Sequence, residues 1–218
     1  MYRELNYILI SDGSSDKALL KVIDFCLRNH LGEVILRGER AETNRLTPRP
    51  KSLAEKIELC IDYYEPDVVF VHRDAEREPL LNRQNEISNA LEELEKNHFD
   101  GKIICVIPVK MMEAWLLTNE SAIRYAAGNP NGKIKLEIPE VKRIESIVNP
   151  KQKLRDLISE ASELKGRRLK KLKEKLNHAV HLVAEYTEDF TKLESLTSYK
   201  HFEKQVIEHL KEKKKDLP

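Results

Sequence analysis

Hydrophobic residues over the first 118 positions follow two different periods. Tyr7-Ile8-Leu9-Ile10, Val34-Ile35-Leu36, Val68-Val69-Phe70-Val71 and Ile103-Ile104-Cys105-Val106-Ile107 are short, continuous apolar runs rich in β-branched residues. Between them, apolar residues recur three and four apart. This holds in Ala18–Leu27, in Lys51–Tyr64 (Leu53, Ile57, Cys60, Ile61, Tyr64) and in Gln84–Asn97 (Ile87, Ala90, Leu91, Leu94). Continuous runs suit strands covered on both faces, and 3.6-residue stripes suit helices. Four such strands joined by helices predict a four-stranded parallel α/β sheet flanked by helices, with right-handed crossovers.

The second half has no strand-like runs. Residues 119–148, with Gly128-Asn129-Pro130-Asn131-Gly132, read as a loop-rich connector. Asn149-Pro150 is a good N-cap and first-turn pair. Three helical stripes follow: Leu154 to Leu164, Leu169 to Tyr186, and Tyr199 to Leu210. The pattern divides the chain into an α/β core over residues 1–118 and a mainly helical region over 119–218. The Lys-rich tail from Lys211 is expected to fray.

Composition sharpens this picture. The chain has 218 residues, 34% charged and 40% hydrophobic, enough to bury a sizeable core. The longest apolar runs fall far short of the roughly 20 residues of a membrane helix, so no membrane association is expected. The start, Met1-Tyr2-Arg3-Glu4, lacks the layout of a signal peptide. Cys26, Cys60 and Cys105 are widely spaced in apolar segments, which argues against a disulfide framework or a CxxC metal site. They read as core residues of a reduced, cytoplasmic protein. The formal net charge of +1 hides an asymmetry: residues 1–120 carry a balance of −6 and residues 121–218 one of +7. Acidic clusters suit metal ions and basic surfaces suit phosphates.

In open parallel sheets ligands bind beyond the carboxyl ends of the strands, so chemistry is sought there. After the first strand come Asp12, Gly13 and Asp16. Asp12 occupies no capping position, whereas Asp16 suits a helix cap as well as an acidic pocket. After the third strand come His72, Arg73, Asp74, Glu76 and Arg77. On extended backbone Asp74 and Glu76 point the same way, and such a pair suits a hard divalent cation. It equally suits a polar loop with Arg73 and Arg77 as partners. His72 fits a core or supporting role beside Asp74. After the fourth strand, Lys110 is placed to neutralise a phosphate, and Glu113 lies in the first turn of a helix whose Trp115, Leu116 and Leu117 read as core.

Two basic segments complete the inventory. The loop Arg37–Lys51 carries Arg40, Arg45 and Arg49, suited to bidentate phosphate contacts. A predicted helix carries Arg167, Arg168, Lys170, Lys171 and Lys173 opposite inward leucines, a face suited to a nucleic-acid backbone, an acidic partner or plain solvent.

Asp12-Gly13-x-x-Asp16 after the first strand, then Asp74-x-Glu76 after the third, resembles the Toprim domain. That is the topoisomerase–primase catalytic core, shared with nucleases of the overcoming-lysogenization-defect type. The stretches Ile107-Pro108 to Glu113-Ala114-Trp115-Leu116-Leu117 and Ser198-Tyr199-Lys200-His201-Phe202 are similar to a Toprim-like subgroup of bacterial phage-defence proteins. The resemblance covers roughly residues 5–118. It implies a nuclease cleaving phosphodiester bonds of DNA or RNA, with Mg2+ or Mn2+ as cofactor. It assigns catalytic roles to Asp12, Asp74, Glu76 and Lys110, and metal binding to Asp12, Asp16, Asp74, Glu76 and Glu113. Against the family pattern, Asp12 stands in place of Glu and Glu76 in place of Asp. The alternative it leaves open is a non-catalytic module that docks a separately encoded ATPase or another protein. The chain carries no GxxxxGK[ST] motif of its own. A homodimer is compatible with either reading.

Overall fold

The computed structural model describes residues 4–76, 78–94 and 101–215. Arg77, residues 95–97 of the third predicted helix and residues 216–218 of the tail lie outside them. The chain forms two compact units. One comprises Met1–Ile107 with His201–Pro218, and the other Pro108–Lys200.

The first unit is built on β1 (Glu4–Ile10), β2 (Ile35–Arg40), β3 (Val68–His72) and β4 (Lys102–Val106). All pairings are parallel, and the strand order is β2-β1-β3-β4. Helices α1 (Leu19–Leu31), α2 (Leu53–Tyr64) and α3 (Leu80–Leu94) make the crossovers. Ser52 starts α2 by accepting a hydrogen bond from the Glu55 amide at 3.1 Å, a side-chain N-cap. Ile8, Ile10, Val69 and Val71 face one side of the sheet. There they pack with Ala54, Ile57 and Cys60 of α2 and with Ile87 and Ala90 of α3. Burying an aliphatic side chain of this kind contributes roughly 1.5–3 kcal/mol.

The alternate positions face the other side. The Tyr7 ring stands edge-on to Phe70 with centroids 5.3 Å apart, and the Tyr7 hydroxyl donates to Asp24 of α1 at 2.7 Å. A further helix, here α8 (Thr197–Lys215), starts in the second unit and continues in the first. Its Phe202 meets Phe70 at 6.1 Å. Its Gln205 side chain accepts from the Cys105 amide at 3.0 Å and donates to the Cys105 carbonyl at 3.2 Å. β4 is an edge strand, and Gln205 satisfies part of its open edge.

β2 is the other edge. It extends through Arg37-Gly38-Glu39-Arg40, which the sequence assigns to a loop, because the ladder to β1 runs from Glu4↔Ile35 to Leu9↔Arg40. Its residues are mostly exposed, so polarity there does not oppose strand formation. Gly38 is required by close approach: a Cβ on it would lie 1.9 Å from Cζ of Tyr7.

The second unit contains α4 (Glu120–Ala126), α5 (Pro150–Ala161), α6 (Gly166–Lys173) and α7 (Leu176–Tyr186). The Asn149 side chain caps α5 by accepting from the Gln152 amide at 2.9 Å, with Pro150 in the first turn. The connector expected to be loop-rich contains α4, whose Tyr125 stacks near Tyr186 of α7. The single stripe from Leu169 to Tyr186 is two helices, broken at Glu174-Lys175. Trp115 is fully buried. Its indole N–H donates to Ser198 Oγ at 3.1 Å, and its ring meets Tyr199 at 5.6 Å. The two segments that resemble the defence subgroup therefore meet in this unit. α8 is helical to Lys215, and the end of the Lys-rich tail expected to fray lies outside the described residues. Among the described residues, no helix is long and apolar enough to cross a membrane.

Candidate functional site

Strand order fixes where a ligand crevice lies. The chain leaves β1 for β2 on one side and returns to β3 on the other, with α1 on one face of the sheet and α2 and α3 on the opposite face. The order reverses between β1 and β3, and the loops beyond those two strand ends border the switch point of the sheet. Asp12 lies in the first loop and Asp74 in the second.

The two loops touch. Arg73, next to Asp74, donates from Nη1 to Asp12 Oδ2, and Lys56 of α2 donates to Asp12 Oδ1 at 2.8 Å. Burial would raise the Asp12 pKa, but Lys56 and Arg73 outweigh it and hold the carboxyl below its ordinary range. Arg73 is in turn fixed by Glu86 at 2.9 Å. Glu86 also binds Arg83, whose Nε donates to the Asp74 carbonyl at 3.1 Å.

Asp16 is buried. It accepts from the Gly13 amide at 2.8 Å and from Ser15 Oγ at 3.3 Å, the capping role its position suggests. His72, 3% exposed, stands between two acids. Its Nδ1–H donates to the Val106 carbonyl at 2.9 Å. Its Nε2 lies 3.4 Å from Asp74 Oδ1 and 4.0 Å from Asp16 Oδ2. Burial alone lowers a histidine pKa. Here Asp74 first, and Asp16 second, override it and raise His72 above its ordinary value.

The expected pairing of Glu76 with Asp74 rests on extended backbone. β3 ends at His72, so the two-residue alternation stops there, and Glu76 takes a left-handed φ of 54°. Its carboxylate is largely exposed and lies 3.9 Å from Arg83 Nη2. Lys110 and Glu113 belong to the second unit. Lys110 sits in a tight turn at φ 67°. Glu113 is buried in the first turn of a 3-10 helix, 3.4 Å from Lys151 Nζ. Arg40 lies on β2 and donates to the Ala41 carbonyl, Arg45 pairs with Glu42 at 2.7 Å, and Arg49 is exposed. On α6 the leucines are half-buried, and Arg167, Arg168, Lys170, Lys171 and Lys173 are all exposed, as the pattern predicts.

Donor chemistry decides what the crevice fits. Asp16 and Asp74 offer carboxylate oxygens, the donor type of hard divalent cations, on either side of His72 Nε2 at 4.0 and 3.4 Å, but the three do not bring their donor atoms within 4.8 Å of one another as a group. Asp12 and Glu76 are engaged by cationic side chains instead. Asp12, Asp74 and Glu76 do not bring their oxygens within 4.8 Å of one another as a group. Lys56, Arg83 and Glu86 went unmarked in the sequence, because their role depends on helices α2 and α3 reaching the same sheet end. No family model, curated protein or solved structure matches the chain.

Proposed function

We propose that this chain is a divalent-metal-dependent nuclease that hydrolyses phosphodiester bonds, acting in the cytoplasm in anti-phage defence as its Toprim resemblance implies. The observation that carries the reading is the meeting of the Asp12 and Asp74 loops at the β1/β3 switch point, with Arg73 and Lys56 on Asp12 and His72 between Asp16 and Asp74. Asp16 and Asp74 would hold Mg2+ or Mn2+. When bound, such an ion supplies Lewis-acid polarisation of the phosphate and an acidified water. The His72 ring, oriented by its Nδ1–H bond to the Val106 carbonyl, stands with Nε2 between the two acids. Arg73 and Lys56 are the cations available to a phosphate oxygen, and bidentate Arg contacts orient as well as neutralise. In the second unit, the five exposed cations of α6 supply a backbone-binding face that positions nucleic acid without reading sequence. The test is incubation of the purified chain with supercoiled plasmid and with RNA, in Mg2+ and in Mn2+. Cleavage that Asp74→Ala abolishes and chelation stops is the expected result.

A second reading has its own observation. Asp12 is already neutralised by two cations, the arrangement of a structural ion network, and this favours a non-catalytic module that docks a separately encoded ATPase or another protein. Wild-type chain that is folded yet inactive on both substrates in both metals, and indistinguishable from Asp74→Ala, would select it.

A further inference from the structure

We infer that Cys26, His30 and Glu203 form a second metal site, selective for Zn2+ or a similar transition metal and distinct from the acidic crevice. Cys26 and His30 are four residues apart on α1, so their side chains share one helix face. Glu203 comes from α8, within the same compact unit. One ligand atom from each of the three lies within 4.8 Å of the others, and His30 Nε2 is 3.1 Å from Glu203 Oε1. Among the described residues this is the one group of three such donors that closes to that span.

The donor set determines the metal. A thiolate, an imidazole and a carboxylate together are ligands of Zn2+ and its transition-metal neighbours. Mg2+ takes oxygen ligands and keeps its waters, so it gains little from sulfur and nitrogen. With bonds of about 2.0–2.3 Å to Zn2+, the present separations need only a small inward shift of flexible side chains. Burial is graded across the site. Cys26 is fully buried, Glu203 is half-buried, and His30 faces solvent. The ion thus has an entry path from the surface and a sheltered sulfur beneath. Binding breaks the Cys26 S–H bond, forms a sulfur–metal bond and releases the proton to water. Three protein ligands leave the fourth tetrahedral position to a water molecule. The bound ion would join α1 to α8, adding to the His30–Glu203 contact a tie that reaches the core thiol.

The probe is Co2+ added to the full chain, stripped of metal and kept reduced with a phosphine. The expected result is one equivalent of Co2+ with a thiolate-to-cobalt charge-transfer band and the intense visible bands of tetrahedral cobalt. One equivalent of Zn2+ should bleach them, and excess Mg2+ should leave them. Cys26→Ser should remove the charge-transfer band, while Cys60→Ser should retain it. His30→Ala and Glu203→Gln alter partly exposed side chains and keep the fold by circular dichroism. Each should weaken Zn2+ binding by at least about tenfold, the scale on which even outer-sphere partners count. Zn2+ should raise the thermal midpoint of the wild type and not that of Cys26→Ser. A wild type without the thiolate band, a band that survives Cys26→Ser, or unchanged Zn2+ affinity in both His30→Ala and Glu203→Gln would overturn the site.

Discussion

Replacing Gln205 by Leu removes two hydrogen bonds from the open edge of β4 while keeping the length and bulk of the side chain. The Gln205 amide accepts from the Cys105 N–H at 3.0 Å and donates to the Cys105 carbonyl at 3.2 Å. Each bond is worth about 1 kcal/mol net, so the pair contributes about 2 kcal/mol. In a chain of this size each kcal/mol moves the thermal midpoint by about 2–4 °C, which gives an expected drop of about 4–8 °C. The local effect is sharper. Cys105 is the paired residue, so hydrogen exchange at its amide should quicken by a factor of about 5 for the loss of one bond of about 1 kcal/mol. Exchange in β1, buried between β2 and β3, should change only as far as global stability does. Gln205→Glu retains an acceptor for the amide but sets a carboxylate against the carbonyl. It should keep the amide protected while the midpoint falls. Unchanged exchange at Cys105 together with an unchanged midpoint in Gln205→Leu would show that α8 does not pair with the strand edge.

Gly38→Ala should cost about 1–3 kcal/mol or more in urea denaturation, because the new Cβ meets the buried Tyr7 ring at 1.9 Å; a wild-type midpoint would contradict that packing. Asp12→Asn should destabilise the protein at neutral pH. Burial raises the Asp12 pKa, but Lys56 and Arg73 bring it below the ordinary range. The stability it contributes is therefore present above the ordinary carboxylate value and lost as pH falls through the lowered folded value. The gap between wild type and variant should close toward acid, and a constant gap would refute the pairing. Reversing Arg167, Arg168, Lys170, Lys171 and Lys173 to Glu in an Asp74→Ala background should weaken nucleic-acid binding for all sequences alike and flatten its salt dependence. The fold should survive, since none of the five is buried. Equal affinity in the two proteins would remove α6 from the nucleic-acid reading.

The parts legible in the sequence are those whose signal is local. Strands β1, β3 and β4 show as β-branched runs because they are buried, and α2 shows as a stripe because one face meets the sheet. β2 is partly hidden, since an exposed edge strand can carry Arg37, Glu39 and Arg40 without penalty. α4 is hidden by its length of seven residues and by the Gly- and Pro-rich segment beside it. The acids were found from their position after apolar runs, but their partners were not. Lys56 lies 44 residues from Asp12 and Arg73 lies 61, and only the β2-β1-β3 order brings them together. The expected direction of Glu76 rests on alternation, which holds only while the strand continues, and β3 ends at His72. The Cys26–His30 spacing was visible in the sequence. Without Glu203, from a helix about 170 residues later, two donors on one face carried no metal signal.

The strand order makes the position of Asp12 more informative than its identity. Any residue just beyond β1 borders the switch point, and any cation just beyond β3 can reach it. Arg73 and Lys56 are mostly covered, with side chains 13% and 25% exposed, and they are oriented by Asp12 and Glu86 rather than left free in solvent. Ordering such long side chains in advance lowers the entropy lost when an anion is captured. On the proposed function, a phosphate arriving at the crevice would compete with Asp12 for the same two cations. To the extent that it wins, the Asp12 carboxylate would be released at the sheet end that also carries Asp16 and Asp74. On the proposed function, the ion pairs that neutralise Asp12 in the free protein then act as a latch, and anion binding converts a saturated acid into an available one. On the docking alternative the same pairs stay closed, and Asp12→Asn alters stability without altering any nucleic-acid chemistry.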